Sequence, residues 1–268
     1  MRWQLALFRR DCAAFLSTQL QYPAAMFIWI TGVILEPVLY MVVWRVAAAT
    51  QKGAVVGGLT QNYIAAYYAV FLVVNFLSFT WFFIRMEDRV RMGSFSVLLM
   101  RPVHPLYRDV AENLTYKLVT SAATVPTVIL LVVGFSIQLG LTWVNLLLFL
   151  PSLLLATAMR FMFEWTLALS AFWIVRTDAV SRIYGFVMHF LGGFAAPLAL
   201  LPAGVATVAY WLPFPWMVAF PVTVALGGHD VPSVLLGLLV QAFWLAVAAV
   251  LLKVVWRAGT RRFAAVNG

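Results

Sequence analysis

RMEDRVRMGSFSVLLMRPVHPLYRDVAENLTYK, residues 85–117, is the one long polar break in an otherwise lipid-soluble sequence. It holds six of the eighteen Lys and Arg residues and four of the nine Asp and Glu, the density of a segment returned to water. Within it Gly93 can end a preceding helix, Ser94 can cap a new one, and Pro102 pushes Arg101 out of helical geometry. Phe95, Leu98 and Leu99 then fall at i, i+3 and i+4, an apolar face on a helix only about two turns long. So short a helix is not stable alone in water. It must lie against something, either the membrane surface or a groove in a partner protein.

Outward from this break the chain is apolar. At 268 residues, 64% hydrophobic and 10% charged, a soluble core is excluded and the long uncharged runs read as membrane spans. The net charge of +9 does not point to nucleic acid, because the cations cluster between apolar runs rather than along a face with stacking aromatics. The single Cys12 excludes an internal disulfide, and no Cys/His cluster has metal-ligand spacing. His104, His189 and His229 are scattered and read as structural or interfacial. Arg9, Arg10 and Asp11 interrupt what would be the apolar core of a cleaved signal.

The expected fold is an all-α membrane protein with six spans. Residues 1–22 form an amphipathic interfacial helix with its stripe at Leu5, Phe8, Cys12, Phe15 and Leu16, and residues 23–268 form the span domain. The first span runs from about Ala24 to Ala48, and a loop from Thr50 to Gln61 leads to the second, Asn62 to Ile84. After the break the third covers Leu118 to Ile137, is continuous with a helix begun near Asp109, and kinks at Pro126. The fourth, Val144 to Val175, exceeds the about 20 residues that cross a bilayer, so it tilts or protrudes. A tight polar turn, Arg176 to Arg182, starts the fifth, which reaches Leu201. Six of the twelve prolines lie between Pro197 and Pro232, so residues 202–232 are expected as broken outer pieces, Ala203 to Leu212 and Trp216 to Leu226, that dip in without crossing. The sixth span is Ser233 to Trp256. Trp3, Trp81, Trp143 and Trp256 read as interfacial anchors, and Gly185, Gly192, Gly193 and Ala196 as close-packing positions.

Orientation follows from a count. With the termini, the 85–117 break and the Arg176 turn on one side, that side holds fifteen of the eighteen Lys and Arg. The other side holds Arg45 and Lys52, and Arg160 lies within a span. Positive charge stays inside, so both termini and the break are cytoplasmic.

Glu36, Arg160 and Glu164 fall near the middles of their spans. Each would cost about 2.5–3.5 kcal/mol facing lipid. Arg160 and Glu164 are one helical turn apart and can pair, with Glu36 a second partner if the first and fourth spans touch. One reading is a self-neutralising group that holds the bundle in register; the other is a surplus carboxylate lining a path for cationic cargo. Glu164 or His189 as a general base lacks a partner nucleophile or metal, and no catalytic residue is assigned.

Three stretches carry a resemblance. One is Trp44-Arg45 through Gly57-Gly58-Leu59-Thr60 to Tyr67-Tyr68. The second is Gly93-Ser94-Phe95 with Leu98-Leu99-Met100-Arg101-Pro102-Val103 and Pro105-Leu106. The third is Ala171-Phe172-Trp173, then Pro202 through Leu212-Pro213-Phe214-Pro215 to Phe220-Pro221-Val222 and Gly227. In this order and topology the sequence resembles the permease subunits of type-2, exporter-class ABC transporters, in particular the small six-span permeases that work in pairs. The resemblance implies that Gly93, Ser94, Phe95, Leu98, Leu99, Arg101 and Pro102 belong to a coupling helix docked on a cytoplasmic ATPase. It implies two copies of that ATPase, which bind ATP and Mg; the chain itself has no G-x-x-x-x-G-K-[ST] phosphate loop and no cofactor. It also implies a second permease, a related companion or a second copy, export as the direction, and the bacterial inner membrane as the location. A nucleotide-independent scaffold or channel subunit is the alternative, and an intramembrane enzyme a more distant one.

Overall fold

The computed structural model describes residues 2–21, 23–174 and 176–267. Tyr22 and Val175, expected as the ends of the interfacial unit and the fourth span, lie outside the described residues, as do the side chains of Arg2, Trp3 and Lys52. The fold is helical throughout: α1 (Arg2–Gln19), α2 (Pro23–Ala49), α3 (Gln61–Ser78), α4 (Phe82–Arg91), α5 (Phe95–Leu99), α6 (Pro105–Gly134), α7 (Trp143–Ala168), α8 (Asp178–Leu191), α9 (Ala203–Tyr210), α10 (Phe214–Met217), α11 (Ala219–Ala225) and α12 (Val231–Asn267). A two-residue hairpin, β1 (Val55–Val56) and β2 (Leu59–Thr60), pairs Val55 with Thr60 across Gly57 and Gly58. Both glycines have positive φ, the backbone a tight twisted hairpin requires. Thr60 then accepts a hydrogen bond from the Tyr63 N–H and caps α3.

α3 is the hub. Residues from Ile64 to Leu72 are buried without interruption, as a helix apolar on all sides must be. It packs on α2, α6, α7 and α11, and Met41, Met159, Met188, Met217 and Val222 join its core. Elsewhere the pattern inverts. Leu118, Leu130 and Val133 of α6, Leu147 and Leu154 of α7, and Leu236 and Leu239 of α12 are largely exposed. Such runs face lipid rather than water. Among the described residues four helical stretches are long and apolar enough to cross a bilayer: Gln61–Arg91, Pro105–Gly134, Trp143–Phe172 and Val231–Phe263.

Several expectations are corrected. The fifth span does not run on to Leu201 as a helix; α8 stops at Leu191 after 14 residues. Gly193 follows at φ +84, where an added Cβ would collide with the Tyr67 hydroxyl and touch Ala219. The chain turns there, held by hydrogen bonds from Tyr67 to Gly193 O (2.9 Å), Tyr68 to Ala195 O (3.0 Å) and Trp44 to Ala195 O (2.7 Å). Past Trp256, the expected end of the sixth span, α12 continues as one helix of 37 residues that carries Arg257, Arg261 and Arg262. Trp256 is not a free anchor; its ring meets those of His104 and Trp165 at a tilt, with centroids 4.2 and 5.4 Å away. Trp143 does stand free, 83% exposed. Residues 202–232 hold short helices where two pieces were expected, Ala203–Tyr210, Phe214–Met217 and Ala219–Ala225, with a break at Val218. The stripe of α1, apart from exposed Leu5, is half-buried, and it packs on α6.

α12 ties the two ends of the bundle. Val234 packs near its start with Phe220 and Val224 of α11. Gln241, fully buried, donates to Ser152 O (3.2 Å) and Trp216 O (2.8 Å). Phe263 closes the other end against Phe95 and Phe172 at 5.7 and 5.6 Å.

Candidate functional site

The second apolar stretch is interrupted at Phe79-Thr80-Trp81, between α3 and α4. A helix end leaves carbonyls without intrahelical partners, and in an apolar setting each would cost several kcal/mol. α6 supplies them. Lys117 donates to Leu77 O, and Asn113 to Phe79 O at 3.3 Å.

The same break receives the intramembrane charges. Arg160 and Glu164 on α7 are each 3% exposed and pair at 2.7 Å from Nε to Oε1. Arg160 also donates to Asn75 Oδ1 (2.8 Å) and Ser78 Oγ (2.9 Å), and its guanidinium lies over the rings of Phe79 and Phe194. Glu164 accepts further bonds from Thr80 and from Tyr184 (3.1 Å). This buried pair is thus satisfied on both sides, the condition for tolerating two charges in an apolar interior.

A cavity of ≈ 380 Å³ opens beside the cluster, walled by the break, α2, α7 and α8. Glu36 stands on its wall but does not join Arg160. Its side chain is 58% exposed and its carboxylate meets Nδ1 of His189 at 3.5 Å, while His189 Nε2 shares a 2.9 Å hydrogen bond with the Tyr40 hydroxyl. Of the pair or triad the spacing allowed, the structure holds the pair, Arg160–Glu164, and a separate Glu36–His189–Tyr40 chain. Gly185 is likewise not a packing position; a Cβ built there meets nothing within 4 Å, and the residue lines the cavity.

The polar break itself is built as a clamp and a peg. Along α4, Arg89 bridges Asp109 (2.6 Å) and Glu112 (3.4 Å), and Arg85 pairs with the same Glu112. Asp109 accepts a further bond from Trp165 Nε1 at 2.8 Å. Glu87 accepts from the Thr177 N–H and hydroxyl at 2.7 and 2.8 Å. α4 is thereby fastened to α6, α7 and the turn before α8. Gly93, at φ +71, closes α4 as glycine does.

The peg α5 then sits down on Phe95 and Leu98, 0% and 4% exposed. The Phe95 ring meets Phe172 edge-on at 5.2 Å and Trp256 at 6.1 Å. Leu99 is not on that face; it is 37% exposed and turns outward with Val97 and Met100. Ser94 does not cap: its backbone is already helical and it makes no capping bond. The hydroxyl of Ser96, bonded to Gly93 O at 2.7 Å, holds that corner instead. Arg101 reaches toward Asp11 of α1 at 3.8 Å, and Pro102 is exposed.

Next in line, His104 caps α6 by accepting the Leu106 N–H at Nδ1 (3.2 Å). Burial pushes its imidazole below the ordinary value of 6.5, against a weaker opposing pull from Asp109. A base that is harder to protonate when folded weakens the fold once the unfolded chain takes up the proton. Stability should therefore fall as pH drops through about 6.5 and level off below the depressed native value. Thermal unfolding in detergent at pH 7.5 and 5.5 checks this. His104→Asn, which can still cap but does not titrate, should show a smaller acid loss; an equal loss would contradict the assignment.

Sequence reasoning missed Asn75, Ser78, Thr80, Tyr184 and His189 as partners of the intramembrane charges, since polar residues at ordinary spacing carry no mark of what they face. Among the described residues no three His, Cys, Asp or Glu side chains gather as a metal site. Compared with known families, residues 34–266 match the model described as "ABC-2 family transporter protein". No curated protein matches the chain.

Proposed function

The chain belongs to the ABC-2 transporter family, as a multi-pass membrane component of transport, and on that premise we propose that it is the permease half of an ATP-driven exporter. Two copies of a separate ATPase, which hold ATP and Mg, dock on the peg from the cytoplasm, and a second permease, a related companion or another copy, completes the pathway. The chain itself is non-catalytic. Six crossings are assigned to α2, α3 with α4, α6, α7, α8 with its return, and α12, in the bacterial inner membrane with both termini inside.

The observation that carries this reading is the two-sided peg. Its inner face, Phe95 and Leu98, packs against Phe172 and Phe263 at the ends of α7 and α12, while Val97, Leu99 and Met100 turn away from that contact and are exposed among the described residues. A helix anchored on one side and apolar on the other suits transmission of movement from a docked protein into the spans. Work enters through a difference in the ATPase's affinity for the two states of that surface.

Copurification of the full chain with its ATPase tests the reading. Val97→Asp or Met100→Asp should weaken association about tenfold or more, since central apolar contacts dominate such interfaces. Stability of the permease should stay within about 0.5 kcal/mol, as for other surface changes. Unaltered association in both variants, or solute passage with no ATPase present, would transfer support to the channel or scaffold reading.

A further inference from the structure

We propose that the cavity at the α3–α4 break binds a lipophilic organic cation, a protonated or quaternary amine or a phosphonium on an apolar body, with the Glu36 carboxylate as its counter-ion. This names a cargo class for the permease reading above and rests on it.

The argument begins with the charges that face the cavity. From α7 come Arg160 and Glu164, which cancel at 2.7 Å and are further tied by Asn75, Ser78, Thr80 and Tyr184. From α2 comes Glu36, whose one ion-pair partner among the described residues is His189 of α8 at 3.5 Å. His189 meets Glu36 with Nδ1 and shares its Nε2 with the Tyr40 hydroxyl at 2.9 Å, so both ring nitrogens are already engaged and neither is a fixed cation of the kind Arg160 gives Glu164. Of the Arg, Lys, Asp and Glu side chains that line the cavity, Glu36 is the one with no Arg or Lys partner among the described residues; Lys117, beside the Arg160–Glu164 pair, does not line it. Glu36 is also the accessible one, with more than half of its side chain uncovered while Arg160 and Glu164 are sealed. A carboxylate at that depth is costly unless wet or neutralised, so a cation gains here what an anion or a neutral solute cannot.

The remaining walls suit the rest of such a ligand. Phe79, Trp81, Phe83, Ile84, Met188 and Phe194 line the space, and aromatic faces attract a desolvated cation as well as an apolar body. The volume of ≈ 380 Å³ is that of a small-molecule site. Gly32 and Gly185 keep it open, since a Cβ at either would meet nothing within 4 Å. Shape and charge thus point to the same class of ligand.

Tetraphenylphosphonium and tetraphenylborate, equal in shape and opposite in charge, are the probes, and the full chain in lipid nanodiscs is the sample. The phosphonium should bind saturably and the borate should not. Glu36→Gln should weaken phosphonium binding about tenfold or more, equivalent to at least 1.4 kcal/mol, and Glu36→Asp should restore most of it. Gly185→Leu fills open space with a better helix former, so it should fold at least as well and still lose binding. Equal uptake of both ions, or undiminished phosphonium binding in Glu36→Gln and Gly185→Leu, overturns the proposal. Failure of the ATPase to associate would leave this binding intact. A chain that docks and drives an ATPase yet is indifferent to Glu36 would refute the cation site alone.

Discussion

Arg160→Met is expected to lower the unfolding free energy of the full chain by about 3–5 kcal/mol, the cost of leaving one member of a buried ion pair alone. The guanidinium serves Glu164, Asn75 and Ser78 at once, each within 2.9 Å. Its removal leaves Glu164 with only the hydroxyls of Thr80 and Tyr184 among its described partners. Glu164→Gln should cost a similar amount by leaving the cation uncompensated. The double change Arg160→Met with Glu164→Leu should cost less than the two single effects together, because no charge is then stranded. Unfolding titrations in mixed micelles give the numbers. Single-variant losses below about 1 kcal/mol, the range of exposed pairs, would mean that water reaches the pair freely.

Arg89→Met should rank second, at about 3 kcal/mol. Asp109 is 1% exposed and would keep only the Trp165 N–H of its two described partners. Asp109→Asn should cost less, since Arg89 retains Glu112. Arg91→Met is the control. Its pair with Asp88 is about half exposed on both sides and should contribute about 0–1 kcal/mol. Comparable losses for Arg89→Met and Arg91→Met would show that the clamp between α4 and α6 bears no load. Faster proteolysis within residues 85–117 should accompany the loss in Arg89→Met, because that clamp fixes the start of α6.

Much of this was legible before any coordinates. The composition implied membrane helices, Gly93 marked the end of α4, and the prolines from Pro197 to Pro232 foretold the short, broken helices there. Arg160 and Glu164 were readable as a pair because their spacing alone sets them on one helical face. The errors share a physical origin: spacing ranks the neighbours within a helix and is silent about those across it. Leu99 at i+4 fits the helical face as well as Leu98 at i+3, yet only tertiary packing decides which is covered. Glu36 meets His189 on α8 rather than Arg160 on α7, a contact between helices that spacing within one helix does not carry. α8 stops early because Gly193 must turn under Tyr67, and only the hydroxyl above it reveals why.

The length of α12 has a mechanical corollary. Gln241 pins this rod deep in the bundle, about 33 Å of helix from Phe263 but only about 10 Å from Val234, at 1.5 Å of rise per residue. Any tilt about that fulcrum moves the Phe263 end about three times as far as the Val234 end. The arms are unequal in the sense of a crowbar: a wide, weak stroke beneath Phe95 becomes a short, forceful one beside Phe220.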